Sequence, residues 1–272
     1  MTISRPDSGE TSEPAPAEDP LVRLLRAAGC VFAEDESRLL REAAADGGDL
    51  DALTARRIAG EPLESVVGWA EFCGLRIAVE PRVFVPRKRS ELVAREAAKL
   101  AAAAGPGAVV VDLCCGSGAI GAAVASAVPG IELHAADIDP AAVGVARRNI
   151  ARFGGRAYAG DLFGALPAGL HGRIAVIAAN APYVPSGEIS LMPPEARDHE
   201  PLAALDGGPD GLDLQRRVAR GAGEWLTPGG TLLIETSKHQ SRTTAAMLAE
   251  AGFDVRIVRD AEIGGTVAIA RR

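Results

Sequence analysis

Asn180-Ala181-Pro182-Tyr183 is the segment of this chain best equipped for chemistry. The Asn180 side-chain oxygen and the main-chain carbonyl of residue 181 can each accept one N–H of an NH2 group. Tyr183 offers an aromatic face to a planar group. An amide or ring-amino nitrogen is planar and a poor nucleophile. Two fixed acceptors on its hydrogens hold it in line with an electrophile and favour pyramidal geometry as a bond forms. The chemistry is group transfer to an amino or amide nitrogen. Because the second acceptor is main chain, the side chain at residue 181 is not itself needed. The plain alternative is a rigid proline turn after a strand.

A second segment lies upstream, at Asp112-Leu113-Cys114-Cys115-Gly116-Ser117-Gly118. Both segments follow short apolar runs, Val109 to Val111 and Ile174 to Ala179, that read as buried parallel strands. In an open α/β sheet, ligands bind at the carboxyl ends of such strands. Gly116 and Gly118 permit a tight turn and close backbone approach to a ligand. The next strand ends in Asp137-Ile138-Asp139, and a carboxylate there suits a ribose diol. The third ends in Gly160-Asp161-Leu162, where an acid can accept from an adenine amino group and Leu162 can face the ring. Asp137 and Asp161 also fit the plainer role of helix caps. Gly116, Gly118 and Gly121 match the period of a dinucleotide fingerprint, but that reading leaves residues 180–183 without a use.

From Ala108 onward, strand, glycine or acidic loop, and helix alternate. Strands are expected at Val109 to Leu113, Ile131 to Ala136, Arg156 to Ala159, Ile174 to Ala179, Thr231 to Glu235, Phe253 to Val258 and Thr266 to Ala270. Helices are expected between them, which makes an α/β fold with a parallel sheet covered on both faces. The catalytic domain is placed at residues 87–272. Residues 1–20, rich in Pro, Glu, Ser and Asp, read as a disordered tail. Residues 21–60 carry apolar residues at helical spacing and form a small helical domain. In residues 61–86, Val66, Val67, Trp69, Phe72, Leu75, Ile77, Val79, Val83 and Phe84 favour strands, and Gly74 can turn a hairpin, so this is a β connector.

The net charge of −7 argues against a broad basic surface for nucleic acid, which requires phosphate neutralisation. No stretch approaches the roughly 18 to 20 apolar residues of a membrane helix. Cys30, Cys73, Cys114 and Cys115 make no metal-spaced pair, and reduced thiols in a cytoplasmic protein are the simplest expectation.

On these residues the chain resembles the protein-(glutamine-N5) methyltransferases that modify peptide-chain release factors. The resemblance covers nearly everything from Leu53 to the last residue. Arg56-Arg57-Ile58-Ala59-Gly60-Glu61-Pro62 is similar to that family's linker, and Val85-Pro86-Arg87 with Glu91-Leu92-Val93 to its Pro-Arg-Pro-x-Thr-Glu segment. Glu200-Pro201, Ala204-Leu205-Asp206-Gly207-Gly208 and Asp210-Gly211-Leu212-Asp213 match a stretch fairly specific to this group. Pro228-Gly229-Gly230, Glu235 and Gln240 also fit.

The resemblance implies a class I S-adenosylmethionine-dependent methyltransferase. Its Rossmann-like sheet would have seven strands, the last reversed, and its N-terminal helical domain would contact a protein substrate. It implies S-adenosylmethionine as cofactor, held by Asp112, Cys114, Gly116, Gly118, Ile120, Asp137, Ile138, Asp161, Leu162 and Asn180. Asn180, Ala181, Pro182 and Tyr183 would form the catalytic clamp, with Arg87, Glu91, Tyr183 and Glu200 on the acceptor side and no metal. The implied partner is a release factor-like protein.

Three departures stand out. Cys114 replaces the first glycine of the cofactor loop, Lys88-Arg89-Ser90 replaces Pro-x-Thr, and Ala181 replaces proline. They leave open a small amide- or amine-bearing acceptor, or an exocyclic base amino group, although the acidic charge counts against the last. A non-catalytic binding module fits least well with intact Asp112, Asp137 and Asn180.

Overall fold

The computed structural model describes residues 18–272. The tail expected over residues 1–20 therefore lies, up to residue 17, outside the described residues. The chain divides into two compact units, the first ending at Ala59 and the second spanning Gly60–Arg272.

The first unit holds α1 (Pro20–Ala27), α2 (Ala33–Ala45) and α3 (Leu50–Ile58). Asp19 caps α1 by accepting the Leu21 N–H at 2.9 Å, and Asp49 does the same for α3. Leu25 and Leu40 are fully buried, and Glu36 pairs with Arg57 at 2.6 Å.

The second unit opens with α4 (Leu63–Val67), then β1 (Trp69–Phe72) and β2 (Leu75–Ala78), which form a two-stranded antiparallel hairpin. Here the sequence reading needs correction. Val66 and Val67 lie in α4, and Val79, Val83 and Phe84 lie outside any strand. Their β propensity is overridden by local context: Pro62 precedes the first turn of α4, and Gly68 ends it in left-handed backbone, so both valines fall inside a helical turn.

The rest is an alternating chain: α5 (Glu91–Ala104), β3 (Val109–Leu113), α6 (Ala119–Ala127), β4 (Glu132–Asp137), α7 (Pro140–Ala151), β5 (Arg156–Ala159), β6 (Ile174–Ala179), α8 (Pro194–His199), α9 (Asp213–Trp225), β7 (Leu226–Glu235), α10 (Ser241–Glu250), β8 (Asp254–Asp260) and β9 (Gly265–Arg271). The seven strands run in the order β5-β4-β3-β6-β7-β9-β8. All neighbours pair in parallel except β9, which is antiparallel to both β7 and β8. This is the class I methyltransferase sheet with its last strand reversed.

Side chains alternate between two apolar layers, as a sheet covered on both faces requires. Val110, Val176, Ala178 and Leu233 pack with α5, α6 and α7. Val111, Leu113, Ile177 and Ile234 pack with α9 and α10. The topology decides where a ligand goes. From β3 the chain crosses to β4 on one side, while β6 pairs on the other. The carboxyl ends of β3 and β6 therefore flank the switch point, where an α/β sheet opens a crevice. No helix among the described residues is long and apolar enough to cross a membrane.

Candidate active site

A cavity of about 820 Å³ opens at that switch point. Its lining includes Cys114, Gly116 and Ile120 after β3, Asp137 and Ile138 after β4, Asp161 and Leu162 after β5, and Asn180 to Tyr183 after β6. Four strand ends thus bring the two sequence segments into one space.

The loop after β3 is held by carboxylates. Asp112 is buried, and its Oδ2 accepts the Gly121 N–H at 2.8 Å, tying the strand to the first turn of α6. Its Oδ1 is buried without a hydrogen-bond partner among the described residues. Burial pushes this carboxyl up to about 8, with the Asp137 charge adding to the rise. Asp112 is not among the lining residues; it stands behind the loop. Asp137 accepts the Gly116 N–H at 2.8 Å and the Asp139 N–H at 3.0 Å. Burial raises its pKa despite those bonds. Gly118 has φ +76, and a Cβ there would stand 3.0 Å from Ala146 Cβ, so only glycine lets α6 start this close to α7. Cys114 also adopts left-handed backbone, φ 58, which explains why the family has glycine there. Burial raises the pKa of both Cys114 and Cys115, and the neighbouring carboxylates add to it, so both thiols stay neutral. Ile138 is 61% exposed on the cavity wall, an uncovered apolar side chain. Asp161 pairs with Arg217 of α9 at 2.6 Å, and both line the cavity.

The clamp is braced from three directions. Asn180 Nδ2 donates to Ser90 Oγ at 3.4 Å. Neither Asn180 Oδ1 nor the buried Ala181 carbonyl makes a hydrogen bond among the described residues, so both acceptors remain open. Tyr183 Oη accepts from Arg89 Nε at 3.0 Å and donates to Glu235 Oε1 at 3.3 Å. Burial and the Glu235 charge push this phenol up to about 12. The Tyr183 carbonyl accepts from Gln240 Nε2 at 2.9 Å, and the same amide reaches the Asp210 carbonyl at 3.1 Å. Val184 forms an isolated bridge with Asp206, through Val184 N–H to Leu205 O and Gly207 N–H to Val184 O. Gly211, φ +77, lies against the Tyr183 carbonyl with no room for a side chain. The Glu200 to Asp213 stretch singled out in the sequence is therefore the backing of the clamp.

Two acceptor-side expectations change role. Glu91 is buried, accepts the Cys73 N–H at 2.8 Å and Lys88 Nζ at 2.9 Å, and lies outside the cavity lining. Through the Cys73 N–H it ties the β1–β2 turn to the first turn of α5. Glu200, also buried and outside the lining, accepts Arg87 Nη2 at 2.6 Å and the Val85 N–H at 3.2 Å. It shapes the rim through Arg87, which does line the cavity. Sequence reasoning missed Ser90, Arg89 and Arg217. Ser90, one of the three departures, keeps a hydroxyl where the similar segment has threonine, and that hydroxyl is the signal the sequence offers.

The methyltransferase small domain model matches residues 91–191. The chain is 40% identical over 203 residues to a release factor glutamine methyltransferase of Geobacter sulfurreducens, covering 74% of this chain and 69% of that protein. It is 34% identical over 261 residues to a 4-amino-L-phenylalanine/4-methylamino-L-phenylalanine methyltransferase of Streptomyces pristinaespiralis, covering 90% and 83%. A methyltransferase structure from Pyrococcus furiosus superposes with a TM-score of 0.55 at 18% identity over 81% of this chain and 98% of that one, a likeness of fold. With this sheet, this clamp and these relatives, the chain belongs to the release factor glutamine methyltransferase family.

Proposed function

We propose that this enzyme methylates the side-chain amide of a glutamine in a peptide-chain release factor, with S-adenosylmethionine as donor. The observation that carries the reading is the pair of open acceptors, Asn180 Oδ1 and the Ala181 carbonyl, beside Tyr183 on a cavity that also holds the carboxylates of β4 and β5. The residues present fit the cofactor. It carries a sulfonium, a ribose and an adenine, and the cavity presents Asp137 and Asp161 at two strand ends beside the uncovered Ile138, while Asp112 braces the loop from behind. When bound, S-adenosylmethionine supplies an electrophilic methyl group.

Asp137 would hold the ribose, Asp161 and Leu162 the adenine side, and Ile138 would cover the base. Gly116, which lines the cavity, would let the main chain approach closely, while Gly118 lies outside the lining and makes room for α7. Asn180 and the Ala181 carbonyl would each accept one N–H of the acceptor NH2, removing planar conjugation as its lone pair turns toward the methyl carbon. Tyr183 would support the amide plane. These acceptors strengthen as positive charge grows on the nitrogen, so they act on the transition state more than on the ground state. The part of the cavity lined by Met192, Pro193 and Leu202 would take the acceptor chain.

Asn180→Ala tests this role. Turnover is expected to fall by roughly a hundredfold or more, the loss of one preorganised polar contact, while cofactor affinity by calorimetry stays within about twofold. Wild-type turnover in this variant would refute the assigned role.

A further inference from the structure

The aromatic member of the clamp is held by two side chains to which the reaction scheme gives no task. Arg89 Nε lies 3.0 Å from Tyr183 Oη and 3.2 Å from Glu235 Oε1, and Tyr183 Oη lies 3.3 Å from the same Glu235 oxygen. The three polar atoms close a triangle. Glu235 is the last residue of β7, only 1% exposed, and its Oε2 has no hydrogen-bond partner among the described residues. Burying a carboxylate with half its acceptors unused is unfavourable, and an apolar side chain would fill a strand end at less cost.

The main chain at this position does not depend on that carboxylate. Gln215 Nε2 donates to the Glu235 carbonyl at 3.3 Å, and Thr244 Oγ1 donates to Gln215 Oε1 at 2.9 Å, both buried. The strand end is fixed from α9 and α10, and the side chain is left to act on Tyr183. Arg89 precedes Ser90, which holds Asn180. Consecutive residues of one turn therefore reference both the amide and the aromatic member of the clamp, and Glu235 ties that turn to the sheet.

We propose that Arg89 and Glu235 are positioning residues that lock the Tyr183 ring as the wall against which the acceptor amide is aligned. This rests on reading residues 180–183 as the acceptor clamp. Tyr183 has two soft torsions, and its hydroxyl is the point farthest from the main chain. Anchoring that atom from two sides removes the freedom that would let the ring tilt away. Losing the anchor raises the acceptor KM and lowers kcat together, because a misplaced acceptor both binds and reacts less well. Cofactor affinity does not change, since the triad lies on the acceptor side.

The test is a double-mutant cycle on methyl transfer to the host's own release factor, with full-length Y183F, E235A, E235Q and the E235A/Y183F double variant, and Asn180→Ala as the control for the clamp itself. Tyr183 and Tyr158 are the two tyrosines of the chain, so 13Cζ-tyrosine NMR, assigned with Y158F, reads the anchor without any substrate. Thermal unfolding checks that each variant folds.

Y183F and E235A are each expected to lower kcat/KM by about 10- to 100-fold, and the double variant to fall no more than about threefold below the worse single one. E235Q, which keeps an acceptor oxygen, should recover most of the rate, and the Tyr183 Cζ resonance should move in E235A. Multiplying effects in the double variant, or a cofactor Kd that shifts as much as the acceptor KM, would overturn the proposal. An unmoved Cζ resonance would overturn it even if the wild-type enzyme leaves the release factor unmethylated, a result that on its own would sink the substrate reading.

Discussion

Gly211→Ala asks whether the 207–211 loop seats the clamp. A Cβ on Gly211 would stand 2.3 Å from the Tyr183 carbonyl oxygen and 2.5 Å from Gln240 Nε2. Both are far inside van der Waals contact, and the first is main chain, so the clamp backbone itself must shift. Left-handed backbone costs an L-residue about 1–2 kcal/mol. Overpacking adds about 1–3 kcal/mol. Displacing Gln240 from the Tyr183 carbonyl removes a hydrogen bond of about 1 kcal/mol. Together these destabilise by about 3–6 kcal/mol. Gly130→Ala is the control: it has φ +87 and nothing within 4 Å of its Cβ, so it carries the backbone penalty alone. The difference between the two variants, about 2–4 kcal/mol, corresponds to roughly 5–15 °C in Tm. A clamp displaced by about 1 Å should also lose on the order of a hundredfold in turnover, with cofactor affinity unchanged. Thermal unfolding, calorimetric cofactor binding and labelled methyl transfer on both variants give all three quantities. If Gly211→Ala melts with Gly130→Ala and turns over like the wild type, the loop does not seat the clamp.

Three further outcomes follow from the site. Cys114→Gly should raise Tm by a few degrees at most, because relief of about 1–2 kcal/mol at φ 58 outweighs the roughly 0.5–1 kcal/mol entropic cost of glycine; a lowered Tm would contradict it. Arg87→Met should destabilise by about 3 kcal/mol in denaturant titration, because the Glu200 side chain, 1% exposed, loses its cation. A change within experimental error would return Arg87 to a purely acceptor-binding role. The third outcome concerns pH. Asp112 in the folded chain is raised to about 8 from an ordinary 3.8, so between pH 4 and 8 the folded state holds a proton that the unfolded state has released. Its contribution is full below pH 4 and is lost as pH rises through 8. Asp112→Asn should flatten that decline in the cofactor-free protein, and a variant whose stability falls over this window like the wild type would refute the assignment.

The carboxyl ends of the parallel strands were legible in the sequence because each is a short apolar run closed by a glycine or a polar residue: Asp112, Asp137, Asp161 and Asn180 all sit at or next to the point where the strand pattern stops. Their convergence was legible too, since the switch-point rule needs only strand order. What surrounds the clamp was not. Residues 185–206 form short helical turns and α8, with no hydrophobic period long enough to announce them. The partners of Tyr183 come from positions as distant as Arg89, Glu235 and Gln240, and no local spacing encodes those contacts. Glu91 and Glu200 show the reverse error. A charged residue within a matched motif reads as a ligand contact, but both carboxylates are buried, take their hydrogen bonds from neighbouring residues of the chain and lie outside the cavity lining. Val66 and Val67 had strand propensity and became helix because the residues on either side of them cap a turn.

The central claim is that residues 180–183 present a release-factor glutamine to S-adenosylmethionine. The most direct measurement is transfer of labelled methyl from S-adenosylmethionine to the host's own release factors, with a Gln→Ala release factor and Asn180→Ala enzyme as controls. Label that requires both the substrate glutamine and Asn180 is the expected result. No label on the factors from an enzyme that binds the cofactor normally would contradict it.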